Sequence, residues 1–244
     1  MRIAAVQCHP VLDDPEQTIA AIVDRLRWAD TEQVDLLLFP EAWLLGHAYD
    51  ATLVRAHAEI ASALALPALC ARIAGFSSTL VLGVFEQMGA HTSNSAVVIE
   101  AGRIVGRNAK AHPNEDGVTP GTGFPIFLRS GLRYGINICN DSNFPHAAAR
   151  TADQGAGLIL YPLNNLLRPE TAARWRERSL ANLVARPREI GCWVASADVA
   201  GMANDRISYG CTILSPRGDI LARVPELQEG AVLYDLPIED PRAA

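Results

Sequence analysis

Apolar residues fall along this chain in short blocks that stop at proline, glycine or a charged residue. Arg2 to Cys8 is apolar and ends at His9-Pro10, and Val34 to Phe39 is a continuous apolar run closed by Pro40. Both read as buried strands. Between them Ile19, Ile22, Val23 and Leu26 recur at helical spacing behind Asp13 or Asp14 and Pro15, a cap followed by a first-turn proline. A second apolar helix is predicted over Thr52 to Ala65, and Thr79 to Phe85 is another buried strand. In SAVVIEAGRIVGRNAK two extended runs flank Ala101-Gly102, so a hairpin delivers Lys110 at the end of its second strand.

The stretch AHPNEDGVTPGTGFP is too rich in proline and glycine for helix or strand. Irregular segments of that length in a compact domain tend to carry function. Leu132 to Ile138 then forms a strand that ends at Cys139. The second half repeats the alternation: a helix near Pro145 to Gln154, the strand LILYP, and a helix through Trp175 to Ala185. The strand CWVASADV, a hairpin GCTILSPRGDILARV and a final strand AVLYDL follow. Strands alternating with helices, with hairpins inserted, indicate an α/β layered architecture.

Composition narrows the possibilities. The chain has 244 residues, 49% of them hydrophobic, with 15 prolines and 18 glycines spread throughout. A single domain over residues 1–244 is expected, with only Asp240 to Ala244 prone to fray. The net charge of −6 and dispersed Lys and Arg speak against nucleic acid as a partner. No apolar run reaches the roughly 18 residues needed to cross a bilayer, and MRIAAVQCHP does not read as a signal peptide, so a cytoplasmic enzyme without a membrane partner is expected. Five cysteines at wide, irregular spacing fit neither a disulfide framework nor a paired metal site. No metal and no cofactor is expected.

Three reactive side chains stand just past apolar runs: Glu41 after LLLFP, Lys110 after the hairpin strand and Cys139 after YGINI. In layered α/β proteins sites form where strands end, which makes these three a set. A thiol of ordinary pKa is only a few per cent ionised at neutral pH and needs a base to attack a carbonyl carbon. Partial desolvation suits the Glu41 carboxylate to take that proton and later pass it to departing ammonia. A lysine ammonium in a water-poor pocket, with the backbone N–H of Asn140, would stabilise the developing oxyanion.

Around these residues the sequence resembles the nitrilase or carbon-nitrogen hydrolase superfamily. The resemblance runs through FPEAWLLG, NSAVVIEAGRIVGRNAKAH, TPGTGFPIF and YGINICND, and continues in GAGLILYP, ARPREIGCWVASADVAG and YGCTILSPRGDIL. It implies a four-layer α-β-β-α sandwich of the nitrilase-like type, often paired as a homodimer, and a Glu-Lys-Cys triad that forms a thioester. It also implies a second glutamate between the lysine and the cysteine, for which Glu115 is the candidate.

The resemblance also bears on substrate. Asn140-Asp141 follows Cys139, where members acting on nitriles place Trp-Glu, which favours a small amide or carbamoyl compound. Branches that bind a carboxylate carry arginine three or four positions past the cysteine. Here Ser142 and Asn143 stand there, leaving Arg168 or Arg174 to supply a charge, and a neutral amide is the preferred reading. Trp43, Phe144, His146 and Asn164 are candidate pocket residues, and His112 reads as a structural histidine. Nitrile hydrolysis and a catalytically silent binding or regulatory member of the fold stay open as alternatives.

Overall fold

The structure is a computed structural model and describes residues 1–215 and 217–237. The expected fraying at Asp240 to Ala244 and the proline at the tip of the expected GCTILSPRGDILARV hairpin lie outside the described residues. In chain order the first half contains β1 (Arg2–Cys8), α1 (Pro15–Thr31), β2 (Leu36–Leu38), α2 (Ala51–Ile60), α3 (Leu66–Arg72), β3 (Thr79–Met88), β4 (His91–Glu100) and β5 (Arg103–Ala109). The second half contains β6 (Ile126–Arg129), β7 (Leu132–Ile136), α4 (Pro145–Asp153), β8 (Leu158–Pro162), α5 (Pro169–Ile190) and β9 (Trp193–Val199). The short strands β10 (Gly201–Ala203), β11 (Arg206–Ser208), β12 (Ile213–Ser215) and β13 (Ala222–Arg223) follow, and β14 (Gly230–Asp235) closes the described chain.

The strands form one path in the order β5-β4-β3-β2-β1-β9-β8-β7-β6, with β14 added beside β1 and β12-β13 beside β9. The join is short: β1 and β9 pair only at Gln7–Asp198 and Cys8–Val199. The path folds there into two leaves that face each other. Ile3, Ala5, Leu36, Leu38 and Val81 of one leaf pack with Tyr134, Ile136, Leu158, Leu160 and Ala195 of the other. At the far side Asn108 of β5 donates to the Ile136 carbonyl of β7 at 2.9 Å, nearly closing the sheet into a barrel.

Alternation within a strand explains the outer layers. Ala4, Val6 and Cys8 of β1 point away from the other leaf and meet Ile19, Ile22 and Leu26 of α1 and Leu66 and Leu69 of α3. On the other outer face, Ile159, Tyr161 and Val194 meet Ala148 of α4 and Leu183 of α5. Strands buried on both faces need continuous apolar runs, and VDLLLF and LILYP supply them. The four-layer α-β-β-α arrangement is therefore present.

Several boundaries differ from expectation for identifiable reasons. The helix expected to stop at Ala65 continues through a π-helical turn, Ala61–Ala65, into α3, with Pro67 in the first turn of α3. By length and composition Ala51–Arg72 could cross a membrane, yet its Ala61, Ala65, Leu66 and Leu69 lie in the core against the sheet. α5 runs from Pro169 to Ile190, well beyond the expected Trp175 to Ala185. It starts with a proline at its first position, tolerates Pro187 near its end and stops at Gly191 with φ 70°. The strand before Cys139 ends at Ile136, because the Ile138 N–H turns to the Asp141 carboxylate at 2.9 Å. β6 and the β10-β11 hairpin are too short and irregular in pattern to stand out in the sequence.

The first strand-end loop depends on Gly83 of β3. Its N–H donates to the Pro40 carbonyl at 3.1 Å and its carbonyl accepts from Trp43 at 3.0 Å, pinning the turn that holds Glu41. A β-carbon at Gly83 would sit 2.4 Å from the Pro40 oxygen and 2.4 Å from the Glu41 Cα. Gly83→Ala is expected to cost about 1–3 kcal/mol in urea unfolding and to lower activity. Gly75→Ala, whose β-carbon would meet nothing within 4 Å, should stay within about 0.5 kcal/mol of wild type in the same measurement.

Candidate active site

The three strand-end residues converge at one end of the two leaves. Glu41 sits beyond β2 in a turn tied across to β8: its N–H donates to the Leu163 carbonyl at 3.0 Å, and its own carbonyl accepts from Asn164 Nδ2 at 3.0 Å. Lys110 follows β5, its N–H bonded to the Asn94 carbonyl at 2.8 Å and its carbonyl accepting from Gly121 at 2.8 Å. Cys139 opens a short 3-10 helix, Cys139–Asn143, with φ +40°. A non-glycine residue in that region stores local strain, which places the thiol at a sharp turn.

Lys110 is the hub. Its Nζ donates to Glu41 Oε1 at 2.8 Å, to Glu115 Oε1 at 2.6 Å and to Asn114 Oδ1 at 2.9 Å. The side chains of Lys110, Glu41 and Glu115 are all 0% exposed. Asn94 of β4 donates to the same two carboxylate oxygens, at 2.8 Å to Glu41 and 2.9 Å to Glu115. His47 Nε2 lies 2.8 Å from Glu115 Oε1 and 3.9 Å from Glu41 Oε2. Glu41 Oε2 is buried and has no hydrogen-bond partner among the described residues. Glu41 thus keeps one oxygen on the lysine and one free.

Charge follows from this packing. Burial lowers the lysine's affinity for its proton, but Glu41, Cys139 and Glu115 together outweigh it and hold Lys110 well above its ordinary value. Glu115 is held well below the usual carboxylate range: burial works against this, and His47 and Lys110 overcome it. The Cys139 thiol is pushed far up, first by burial and then by the Glu41 charge, against the pull of Lys110 and the Asn164 backbone N–H. At neutral pH the site therefore holds an ammonium, an ionised Glu115 and a protonated thiol. Glu41, His47 and Glu115 have donor atoms within 4.8 Å of one another. The Lys110 ammonium already sits between the two carboxylates, where a metal cation would have to bind.

A second network holds the thiol's turn to the Lys110 loop. The Asp141 carboxylate accepts from the backbone N–H of Ile138 at 2.9 Å, of His112 at 2.8 Å and of Ala111 at 3.3 Å. His112 adds a contact through Nδ1 at 2.9 Å and stacks on Phe144 with centroids 3.9 Å apart. Asn140 Nδ2 donates to the His112 carbonyl at 2.8 Å. His112 thus has a structural place, as expected.

A cavity of about 440 Å³ opens above Cys139, a size suited to a small molecule. Asn140 and Asn164 line it, as do Tyr49, Asn114, Trp175 and Arg206. Three expected pocket residues, Trp43, Phe144 and His146, do not. Trp43 packs on Phe39 in the helix-facing core, its Nε1 donating to the His9 carbonyl at 3.3 Å. Phe144 turns away onto His112, and His146 lies beside them, its Nε2 3.0 Å from that of His112. Arg168 lines the cavity, whereas Arg174 is exposed on α5 and does not. Asn94, His47, Tyr49 and Arg206 escaped the sequence reading, and Asp141 entered it only as part of the Asn140-Asp141 pair. Asn94 left a trace, an amide in the polar first half of strand β4, whose Thr92 to Ser95 are all buried, and a buried amide must find partners.

Two expectations follow. Because the Glu41 charge adds to burial in raising the Cys139 thiol, Glu41→Gln should lower the pH of half-maximal alkylation of Cys139. Mass spectrometry of iodoacetamide-treated protein across pH measures this, and turnover should fall in the same variant. Asp141→Ala orphans three backbone N–H groups and should cost on the order of 3 kcal/mol in urea unfolding.

Residues 2–244 match the carbon-nitrogen hydrolase family. The chain is 24% identical to a nitrilase from Pyrococcus abyssi over 236 residues, 94% of this chain and 87% of that one. It is 27% identical to a glutamine-dependent NAD(+) synthetase from Xanthomonas campestris over 231 residues, 88% of this chain but 40% of the synthetase. The crystal structure of an amidase from Nesterenkonia sp. superposes with a TM-score of 0.85 at 24% identity, covering 100% of this chain and 94% of the amidase. The chain belongs to the carbon-nitrogen hydrolase family of the nitrilase superfamily, and it is a hydrolase of carbon-nitrogen bonds other than peptide bonds.

Proposed function

We propose that this enzyme hydrolyses the C–N bond of a small amide through a thioester on Cys139, with Glu41 as the proton carrier. The observation that carries the reading is the buried ammonium of Lys110, clamped between Glu41 and Glu115 and bonded to Asn114, which lines the same cavity as Cys139. The free oxygen Oε2 of Glu41 takes the thiol proton as Sγ attacks the amide carbon. The C=O electron pair moves onto oxygen, where the Lys110 ammonium and a backbone N–H at Asn140 stabilise it. When the tetrahedral species collapses, Glu41 returns its proton to the leaving nitrogen and ammonia departs. Water then gives a proton to Glu41 and attacks the thioester, and the thiolate leaves and is reprotonated.

Glu115 serves as a positioning residue: it shares the ammonium, so Glu41 need not neutralise it alone. The chain's resemblance to an amidase supports an amide, and Asn140-Asp141 after the nucleophile supports it over a nitrile. The relative named a nitrilase keeps nitriles in the test panel.

Ammonia release from a panel of small amides, carbamoyl compounds and nitriles, combined with intact-protein mass spectrometry, tests the reading. Wild type should release ammonia from amides and carry an acyl adduct on Cys139. Cys139→Ala should do neither. Lys110→Met should lower kcat by roughly a hundred- to a thousand-fold. A folded wild type that forms no adduct and releases no ammonia from any member of the panel would overturn it.

A further inference from the structure

The cavity above Cys139 is lined by two guanidinium groups and by no carboxylate. Its other lining residues are neutral amides, hydroxyls, aromatics and leucines around the thiol, although the chain as a whole carries −6. A positive cavity in an acidic protein calls for a reason. Arg168 and Arg206 come from segments far apart in sequence, yet the backbone locks them together. Leu167 donates to the Ile207 carbonyl at 3.1 Å and Ile207 donates to the Leu167 carbonyl at 2.8 Å. That antiparallel bridge makes Arg168 and Arg206 cross-strand neighbours by register. Like charges set opposite each other repel, and an anion between them would relieve that repulsion.

Arg2, Arg72, Arg107, Arg176 and Arg223 all pair with carboxylates. Arg168 and Arg206 do not, among the described residues. Arg206 is instead positioned by packing, its guanidinium 5.3 Å from the centroid of the Tyr49 ring. Tyr49 in turn meets His47, the histidine that contacts Glu115, in a T-shaped contact with ring centroids 4.7 Å apart. One aromatic residue therefore spaces the arginine from the reacting groups.

We infer that Arg168 and Arg206 bind the anionic end of the substrate, so that the enzyme acts on amides carrying a carboxylate away from the scissile C–N bond. The inference rests on the amide-hydrolase reading above and names its substrate class. Guanidinium groups grip a carboxylate through paired hydrogen bonds, and an anion between the two arginines removes their repulsion. This replaces the expectation of a neutral amide. It also answers the absence of arginine soon after Cys139: the charge arrives from the start of α5 and from the β10-β11 hairpin.

The test compares ammonia release from the monoamide of a short dicarboxylic acid with release from its uncharged methyl ester. Wild type should favour the acid by about tenfold or more in kcat/KM, and Arg168→Gln and Arg206→Gln should each cut that preference about tenfold, chiefly through KM. Thermal melting confirms that both variants fold. Equal rates on acid and ester, or a preference that survives both substitutions, overturns the inference while leaving the hydrolase reading intact. If wild type releases ammonia from neither compound nor from the wider panel, that reading has failed and the anion site is judged by binding alone. In calorimetric titration of Cys139→Ala with the same monoamide acid, about tenfold weaker binding on adding Arg206→Gln supports it, and unchanged binding overturns it.

Discussion

A lysine ammonium shut away from water is tolerated only where anions surround it, and this protein meets that demand with two carboxylates rather than one. Glu41 and Glu115 need Lys110 as much as it needs them, since without it two buried carboxylates would face each other across a few ångströms. Asn94 donates to both carboxylates and His47 contacts Glu115 at 2.8 Å, so the cluster keeps charge and hydrogen bonding together. Its members come from the turn after β2, from β4, from the end of β5 and from the loop that follows. The cluster is thus also a clasp at one end of the first leaf.

The proposed nucleophile belongs to the other leaf, so the site exists only when the leaves are correctly apposed. Two links secure this. Glu41 exchanges hydrogen bonds with the Leu163-Asn164 segment after β8, and Asp141 reaches from the Cys139 turn to the backbone at Ala111 and His112. Asp141 has a second effect. By taking the Ile138 N–H it ends the strand early and holds the positive φ at Cys139. The strain at the thiol and the registry of the Lys110 loop are therefore maintained by one carboxylate.

Electrostatics divide the site into two zones. Beside Lys110, burial first and the Glu41 charge second keep the thiol protonated until its proton has somewhere to go. Farther out, the cavity wall is positive at Arg168 and Arg206. Tyr49 lies between the zones, its ring against Arg206 on one side and His47 on the other. A substrate held by its charge in the outer zone would present its uncharged end to the inner one.

The amino-acid sequence alone determined that strands run out just before Glu41, Lys110 and Cys139. VDLLLF, the hairpin strand and YGINI can bury themselves only in a sheet, and Glu41, Lys110 and Cys139 stand at their ends by local pattern. Glu115 was singled out by the resemblance alone, which implied a second glutamate between the lysine and the cysteine. Which loop side chains turn inward was decided by tertiary structure, because direction off a strand end depends on contacts made far away in sequence. Trp43, two residues past Glu41, is drawn into the helix-facing core by Phe39, and Phe144 is drawn off by His112. His47, Asn94 and Asp141 meet partners 68, 53 and 29 residues distant, which no local spacing encodes. Arg206 is the extreme case: only the bridge between Leu167 and Ile207 brings it beside Arg168, and only the folded chain makes that bridge.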